Sequence, residues 1–350
     1  MTAYILKRIA LMVPTLFGIM LITFVVTQFV PGGPVEQLVH ELEGGISEGG
    51  AAGGRSGLYQ GQQGLDPEMV EQLNAHYGFD KPVHVRFWDM IVAYAQFDFG
   101  DSYFHNQTVL GLIADKLPVS ISLGIWTFLI TYLVCIPLGI AKAVHDGTRF
   151  DVVTSTLILI GYAIPGFVLA IVLLVLFGGG TFFDLFPLRG LVSDDWAELP
   201  WYGKVADYLW HIFLPVLCLA IGSLAIMTML TKNSFLEEIR KQYVVTARAK
   251  GLDETAVMYR HVFRNAMIPL VTGFPAAFLG AFFTGALLIE QIFSLDGLGL
   301  LAYESVIQRD YPVVLGTLYI FGLIGLVGKL LSDLSYVLID PRIQFEAIER

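Results

Sequence analysis

Residue types that can perform acid–base, nucleophilic or metal chemistry are present in this sequence, but their spacing forms no catalytic or ligand-binding pattern. No two of the seven histidines show a metal-ligand spacing such as H-x-x-x-H, and no G-x-S-x-G nucleophile motif is present. Both Gly-Lys pairs are followed by an apolar residue, Val205 or Leu330, where a phosphate-binding loop requires Ser or Thr. We therefore expect no catalysis, no bound metal and no nucleotide on this chain.

Three ionisable residues lie in or beside long apolar segments and are candidates for a special role. Lys329 and Asp333 are four residues apart near the inner end of the last apolar segment, so a helix places them on one face. Ionisable side chains at such depth usually pair inside a helix bundle, and we predict a buried ion pair with a structural or a gating role. Glu290 ends the preceding apolar segment. The sequence leaves two alternatives for it, a cap on an outer gate or a position at the lipid headgroups.

The composition indicates the surroundings of the chain. Hydrophobic residues make up 55% and charged residues 15% of the sequence, and the mean hydropathy is +0.66. A soluble protein normally has about 25% charged residues, so we expect a membrane protein. The net charge of −10 does not favour nucleic acid binding. Cys135 and Cys218 lie inside apolar segments and are expected to be packing residues.

Six apolar segments are long enough to cross a bilayer, which requires about 20 residues of helix. The predicted helices cover residues 9–30, 119–141, 152–178, 209–231, 267–289 and 312–338. The first follows Lys7 and Arg8, as in a signal peptide, but it exceeds the roughly 7–15 apolar residues of one and no A-x-A site follows. We predict an uncleaved anchor and an all-α polytopic membrane protein with six transmembrane helices.

The distribution of Lys and Arg predicts the orientation, because these residues are enriched in cytoplasmic loops. With the N-terminus in the cytoplasm, 13 of the 21 Lys and Arg residues fall in short inner segments and 7 in the longer outer loops. Both termini are therefore predicted to be cytoplasmic. The predicted divisions are 1–30 (inner end and first span), 31–118 (periplasmic loop), 119–338 (five-helix core) and 339–350 (cytoplasmic tail).

The first periplasmic loop is predicted to contain a mobile insert and a small cap. Residues 44–64 are rich in Gly and nearly free of apolar side chains, a composition that does not bury enough surface to fold. Asp66-Pro67 then predicts the start of a helix, and Gly78 predicts its end. The rest of the loop is expected to pack on the outer membrane face.

The cytoplasmic loop 232–265 is strongly patterned. Ser234 and Glu237 form a capping box, which predicts a helix that starts there and stops at Gly251. Asp253 is expected to cap a second short helix that leads into the fifth span. This helix–Gly–helix shape suits insertion into a groove on a partner protein, although an ordinary connecting helix is the alternative.

Several segments of the chain carry a family resemblance. YVVTARAKGL (243–252), RHVFRNAMIP (260–269), FSLDGLGLLAYESVIQRDYP (293–312) and FDFGDS (97–102) are similar to segments of the peptide-importer branch of the permeases in binding-protein-dependent ABC importers. The resemblance extends over nearly the whole chain except the Gly-rich insert. The segment FDLFPLRGLVS (183–193) looks most like the B permeases of Yej-type importers, which take up oligopeptides and microcin C.

The general motif of the wider family matches only in part. That motif reads E-A-A, three residues, Gly in a cytoplasmic loop. Ala247 and Gly251 match it, whereas Val245 and Thr246 stand where the Glu and the first Ala would be. The missing Glu puts in doubt a salt bridge made there in other branches. Coupling is then expected to depend on packing of Ala247 and Gly251.

The resemblance implies a type I ABC importer permease fold in a bacterial inner membrane. Two homologous permeases would enclose the peptide pathway, a periplasmic peptide-binding protein would deliver peptide, and a cytoplasmic ABC ATPase would hold ATP and magnesium. The permease itself would perform no chemistry, and its cytoplasmic loop would dock on the ATPase. The coupling residues implied are Thr246, Ala247, Arg248, Lys250, Gly251, Leu252, Arg260, His261 and Arg264.

Small residues and prolines in the third and fifth predicted spans allow helices to approach closely and to kink. Most are expected to be packing residues, and some are expected to line the pathway. The pathway and gate candidates are Gly161, Pro165, Pro275, Thr284 and Glu290. The alternative function is a secondary transporter that works alone, but the inverted repeats and buried acids typical of one are not evident. An intramembrane enzyme would require paired catalytic residues that the sequence does not show.

Overall fold

The computed structural model describes residues 2–29, 79–178, 182–183, 185–283 and 286–339. Four predictions lie outside these residues: the mobile insert 44–64, the helix after Asp66-Pro67, the pathway candidate Thr284 and the tail beyond residue 339.

Helices form nearly all of the regular structure in the described ranges, where the extended backbone contributes one isolated bridge between Asp101 and Thr108. The helices are α1 (Thr2–Phe29), α2 (Val83–Ala95), α3 (Val109–Val144), α4 (Arg149–Ala163), α5 (Gly166–Phe177), α6 (Trp201–Ile239), α7 (Gln242–Ala249), α8 (Glu254–Ala256), α9 (Phe263–Ala266), α10 (Ile268–Phe283), α11 (Leu287–Ile292), α12 (Leu298–Gln308) and α13 (Tyr311–Ile339). A 3₁₀ turn (Trp196–Glu198) precedes α6, and a π-helical turn (Val257–Val262) joins α8 to α9.

The spans are of two kinds. Among the described residues, α1, α3, α6 and α13 are each long and apolar enough to cross a membrane alone. The pair α4 and α5 is bent by 92°, and the helical segment from α8 to α9 meets α10 at 50°. Counting each bent pair as one span gives six, which agrees with the predicted number.

Both bends have a proline nearby. Ile164 and Pro165 separate α4 from α5, and both have extended backbone, with ψ angles of 119° and 133°. A proline disfavours helical backbone geometry at the residue before it. The expected kink in this span is therefore present at Ile164. In the fifth span the bend lies at Met267, and Pro269 follows in the first turn of α10, where proline is tolerated. Pro275 lies inside the continuous helix α10.

The predicted capping box at Ser234 and Glu237 is wrong. Both residues lie inside α6, which runs without a break from Trp201 to Ile239 and therefore extends well beyond the predicted span 209–231. A capping box stabilises a helix start because the first N–H groups of a helix have no carbonyl partners. At Ser234 the preceding turns of α6 already supply those carbonyl groups.

The described chain divides into two compact units. The first comprises Met1–Arg8, Lys116–Leu301 and Ile324–Arg350, and the second comprises Ile9–Asp115 and Ala302–Leu323.

The first unit is held by close helix packing. A Cβ atom at Gly124 of α3 would lie only 1.5 Å from the carbonyl oxygen of Ala281 in α10, so the two helix backbones touch at a position that only glycine can occupy. Likewise, a Cβ at Gly166 in α5 would lie 3.2 Å from the carbonyl oxygen of Cys218 in α6. Both cysteines are buried, in agreement with the packing role predicted for them.

In the second unit, two segments that carry the family resemblance pack on each other. Asp310 is fully buried, and its carboxylate accepts hydrogen bonds from the backbone N–H of Tyr103 at 3.2 Å and from the Ser102 hydroxyl. Gly316, six residues further along the chain, also allows this close packing, since a Cβ there would lie 3.3 Å from Cβ of Phe99. These contacts satisfy a buried carboxylate and give the FDFGDS segment a packing role.

Candidate coupling site

The elbow (residues 240–267) connects α6 to α10. Arg240 continues the helical backbone of α6, but Lys241 is extended, with φ −75° and ψ 150°, and α7 starts at the next residue. The single helix predicted to run into Gly251 is therefore two helices with a sharp break.

The carboxylate of Glu238 fixes this break. It accepts hydrogen bonds from Lys241 Nζ and from the Tyr243 hydroxyl at 2.6 Å, and Nδ2 of Asn265 donates to the same hydroxyl at 3.3 Å. The hydrogen bond to Glu238 raises the pKa of Lys241, and burial raises the pKa of Tyr243. These contacts join the start of the elbow to its end. Sequence analysis did not select these residues, although the three-residue spacing of Glu238 and Lys241 was an available signal.

Gly251 forms the turn after α7, as predicted. Its φ is +82°, in the left-handed region that residues with a Cβ seldom adopt, and its N–H donates to the carbonyl oxygen of Arg248 at 2.9 Å. No heavy atom would lie within 4 Å of a Cβ at this position, so the requirement for glycine is conformational. Asp253 then caps α8 by accepting a hydrogen bond from the N–H of Ala256 at 3.1 Å, which confirms the predicted cap.

Ala247 does not face outward. Its side chain is buried within the chain, in a cluster that also contains Phe235, Val244, Val257 and Val262. Ala247 thus packs within this chain, and a role of this packing in coupling stays a prediction. The apolar face of α7 is already covered by α6 and the π-helical turn, and this packing fixes the direction of the elbow.

Other residues of the elbow are exposed, and basic side chains are the most frequent among them. The exposed members of the predicted coupling set are Thr246, Arg248, Lys250, Gly251, Arg260 and Arg264, whereas Leu252 and His261 are half-buried. Two apolar side chains that sequence analysis did not select, Val245 and Tyr259, are also on this surface. Arg248 pairs with Glu254 across the turn at Gly251. We name the exposed set, together with Val245, Glu254 and Tyr259, the elbow surface.

Glu290 is fully buried in the first unit and holds the backbone around it. Its Oε1 accepts a hydrogen bond from the N–H of Ala286 at 3.1 Å, and its Oε2 accepts one from the N–H of Leu300 at 2.7 Å. A Cβ at Gly297 would lie 2.6 Å from the Glu290 carboxylate carbon, so a larger residue there would displace this carboxylate. The burial of Glu290 does not fit a position at the lipid headgroups. Its hydrogen bonds connect α11 to the start of α12.

The other pathway candidates occupy separate positions. Pro165 is exposed at the bend between α4 and α5, and Gly161 lies one turn earlier, where a Cβ would be 3.5 Å from Cγ2 of Ile221. Pro275 is half-buried in α10. A pathway lining by these residues stays a prediction.

Lys329 and Asp333 form an ion pair, but the prediction that this pair is buried is wrong for Lys329. Lys329 Nζ lies 3.8 Å from Asp333 Oδ1, but the Lys329 side chain is 67% exposed on this chain, against 18% for Asp333. Arg8 is the nearer cation, with Nη2 3.0 Å from Asp333 Oδ2, and the Tyr4 hydroxyl lies 3.3 Å from the same oxygen. Two residues of α1 are therefore close partners of the Asp333 carboxylate, and Lys329 is mainly exposed.

Comparison with known proteins identifies the class of protein. Residues 135–345 match the family described as the inner membrane component of binding-protein-dependent transport systems. The chain belongs to this family, and with its helical spans it is a multi-pass inner-membrane permease subunit with the predicted fold class.

Individual relatives agree over their full length. The chain is 59% identical over 360 residues to the peptidoglycan transport system permease protein YejB of Agrobacterium fabrum, with 99% of each chain covered. It is 56% identical over 362 residues to the inner membrane ABC transporter permease protein YejB of Escherichia coli O157:H7, covering 99% of this chain and all of the relative. The oligopeptide transport system permease protein AppB of Bacillus subtilis is 30% identical over 350 residues, again with 99% and 100% covered. The predicted likeness to Yej-type B permeases is confirmed.

Proposed function

We propose that this chain forms half of a peptide-import pathway and that the elbow surface docks on a cytoplasmic ABC ATPase. The observation that carries the docking role is the two-sided structure of the elbow. One side is buried against α6 and the π-helical turn, so its direction is fixed, while the other side presents basic and aromatic groups to a partner. Because the elbow is packed against α6, a displacement of the elbow is transmitted to the membrane-spanning helices and does not merely bend the loop.

The names of the relatives support peptides as the substrate class. The relatives include permeases named for peptidoglycan, oligopeptide and di/tripeptide transport, the last being DppB of Pseudomonas aeruginosa. Each of these names refers to a substrate that contains peptide. We infer short peptides, including peptides derived from the cell wall, as the substrates here, and peptide antibiotics of the microcin C kind as molecules that could enter by the same route.

The proposed assembly contains two permeases, an ATPase with ATP and magnesium, and a periplasmic peptide-binding protein. The distribution of Lys and Arg supports cytoplasmic termini and a cytoplasmic elbow. A basic elbow surface also suits an ATPase groove that carries acidic side chains.

The test is purification of the complete transporter from its native host with an affinity tag on this chain. A second permease and an ATPase should co-purify in fixed ratio, and peptide with its binding protein should stimulate ATP hydrolysis in proteoliposomes. Gly251→Trp should reduce the amount of ATPase that co-purifies, because it strains the left-handed turn and places a large side chain on the elbow surface.

Gly100→Trp is the matched control for this variant. Gly100 also has a positive φ, +73°, with no heavy atom within 4 Å of a Cβ, but it lies in the second unit on the predicted outer side. It should leave ATPase co-purification unchanged. If Gly251→Trp keeps its ATPase, the docking role is wrong. Peptide uptake by the isolated chain without ATP would instead support the secondary transporter.

A further inference from the structure

A buried carboxylate outside the elbow joins three helices of the first unit. Asp151 lies in the first turn of α4, and its side chain is only 7% exposed. Lys142 from the end of α3 reaches Oδ1 of Asp151 at 3.0 Å, and Lys232 from α6 reaches Oδ2 at 2.7 Å. Each carboxylate oxygen therefore binds a lysine from a different helix.

The hydrogen bonds of this cluster are complete on the Lys142 side. The Lys142 side chain has no exposed surface, and its Nζ also donates to the backbone carbonyl oxygen of Asp151 at 2.9 Å, to Thr154 Oγ1 at 2.8 Å and to Ser155 Oγ at 2.7 Å. The N–H of Gly147 donates to Asp151 Oδ2 at 3.1 Å and fixes the turn between α3 and α4. Fully satisfied buried networks favour one arrangement, because any other leaves a buried charge unpaired.

The Lys232 side of the cluster leads to the elbow. Lys232 lies seven residues before Ile239, the last residue of α6, which is about two helical turns. The connection is a continuous helix, so movement of the elbow moves Lys232 as well. Lys232 also pairs with Asp146 at 2.9 Å, and Asp146 lies 3.6 Å from Nη2 of Arg240, but the Asp146 side chain is 39% exposed. Exposed pairs of this kind contribute little.

The Asp151 side of the cluster leads to the bent span. From Asp151, α4 runs to Ile164 and Pro165, where the chain turns by 92° into α5. At the start of α5, Gly166 packs back on α6 at the carbonyl oxygen of Cys218. The bent span thus contacts α6 at its start, through the ion pair of Asp151, and at its bend, through the close packing of Gly166.

We propose that Asp151 is a positioning residue that transmits movement of the elbow to the bent span of α4 and α5. The inference rests on the docking role proposed above. When the elbow is displaced, α6 carries Lys232 with it. Asp151 follows, because separation would leave a buried carboxylate with one cation in place of two.

The experiment uses the complete transporter in proteoliposomes and measures peptide transported per ATP hydrolysed. Asp151→Asn should lower this ratio by about fivefold or more, the usual size of a coupling effect, while basal hydrolysis and ATPase co-purification stay at the wild-type level. Asp151→Glu, which retains the charge, should recover part of the ratio. The matched control is Asp89→Asn, the same chemical change at an exposed aspartate that pairs with Lys81 at 3.0 Å in the second unit, and it should transport as the wild type does.

A second variant keeps the test decisive if Asp151→Asn does not assemble. Lys232→Gln removes the ion pairs of α6 with Asp151 and with the exposed Asp146 and leaves Asp151 paired with Lys142, so the fold of the turn is retained and the ratio should still fall. A normal ratio in Lys232→Gln, or in an assembled Asp151→Asn, would overturn the proposal. The docking role is tested separately: Gly251→Trp reports on ATPase binding, whereas Asp151→Asn reports on coupling in a transporter that still holds its ATPase.

Discussion

Arg248 and Glu254 form a bidentate ion pair across the turn at Gly251, with Nε 2.7 Å from Oε1 and Nη2 3.0 Å from Oε2. The pair links the last turn of α7 to the first residue of α8 and raises the pKa of Arg248. Val245 occupies the position where the family motif has Glu, and the structure instead provides a carboxylate from the far side of the glycine. A planar guanidinium bound through two parallel hydrogen bonds defines the orientation of both segments.

Exchange of these two charges tests whether the pair orders the elbow surface. Arg248→Glu places two carboxylates opposite each other and should lower peptide-stimulated ATP hydrolysis. The double variant Arg248→Glu with Glu254→Arg should recover most of that loss. Both groups are exposed, so membrane levels should not change and the effect should stay below about fivefold. A double variant as impaired as the single one would mean that Arg248 acts through the partner and not through Glu254.

Glu290→Gln tests the buried carboxylate between α11 and α12. An amide in place of the carboxylate keeps one acceptor and turns an N–H group toward the backbone N–H groups that Glu290 now satisfies. A buried donor without an acceptor costs about 1–3 kcal/mol, so the melting temperature of the purified transporter in detergent should fall. The control is Gln291→Ala at the neighbouring exposed position, which should melt as the wild type does. Equal melting temperatures for Glu290→Gln and wild type would show that the carboxylate does not hold this segment.

Two glycine-to-alanine changes compare close packing with open space. Gly124→Ala requires α3 and α10 to separate, because a Cβ would lie 1.5 Å from the carbonyl oxygen of Ala281. We expect a large loss of stability, seen as low membrane levels or early aggregation in size-exclusion chromatography. Gly222→Ala in α6 meets no heavy atom within 4 Å and should be neutral or stabilising, by up to about 1 kcal/mol of helix propensity. Normal behaviour of Gly124→Ala would contradict the direct contact of the two backbones.

The orientation is tested with reporter fusions. A reporter fused after Gly54 should be active on the periplasmic side, and one fused after Glu254 should be active in the cytoplasm. Both outcomes follow from the concentration of Lys and Arg in the inner segments. Activity of either fusion on the opposite side would change the assignment of every loop and would place the elbow away from an ATPase.

Some features of the elbow region could be predicted from the sequence and others could not. Gly251 and Asp253 were predicted correctly, because a helix end and a cap depend on residues within one or two turns of each other. The capping box at Ser234 failed for a related reason. The same four residues are compatible with a helix start and with a helix interior, and only the preceding chain, here the long α6, decides between them.

The amino-acid sequence was enough to predict about six membrane spans, membership of the binding-protein-dependent permeases and a patterned polar loop before the fifth span. Those properties follow from hydropathy, local helix signals and segment resemblance, all of which are read along the chain. Three further facts become visible in the folded chain: Ala247 is buried, Asp333 lies closer to Arg8 than to Lys329, and two lysines share Asp151. Each of these facts depends on contacts between residues that are far apart in the sequence. The energy of an ion pair or a hydrogen bond depends on burial and on the neighbouring groups, and these are set by the fold.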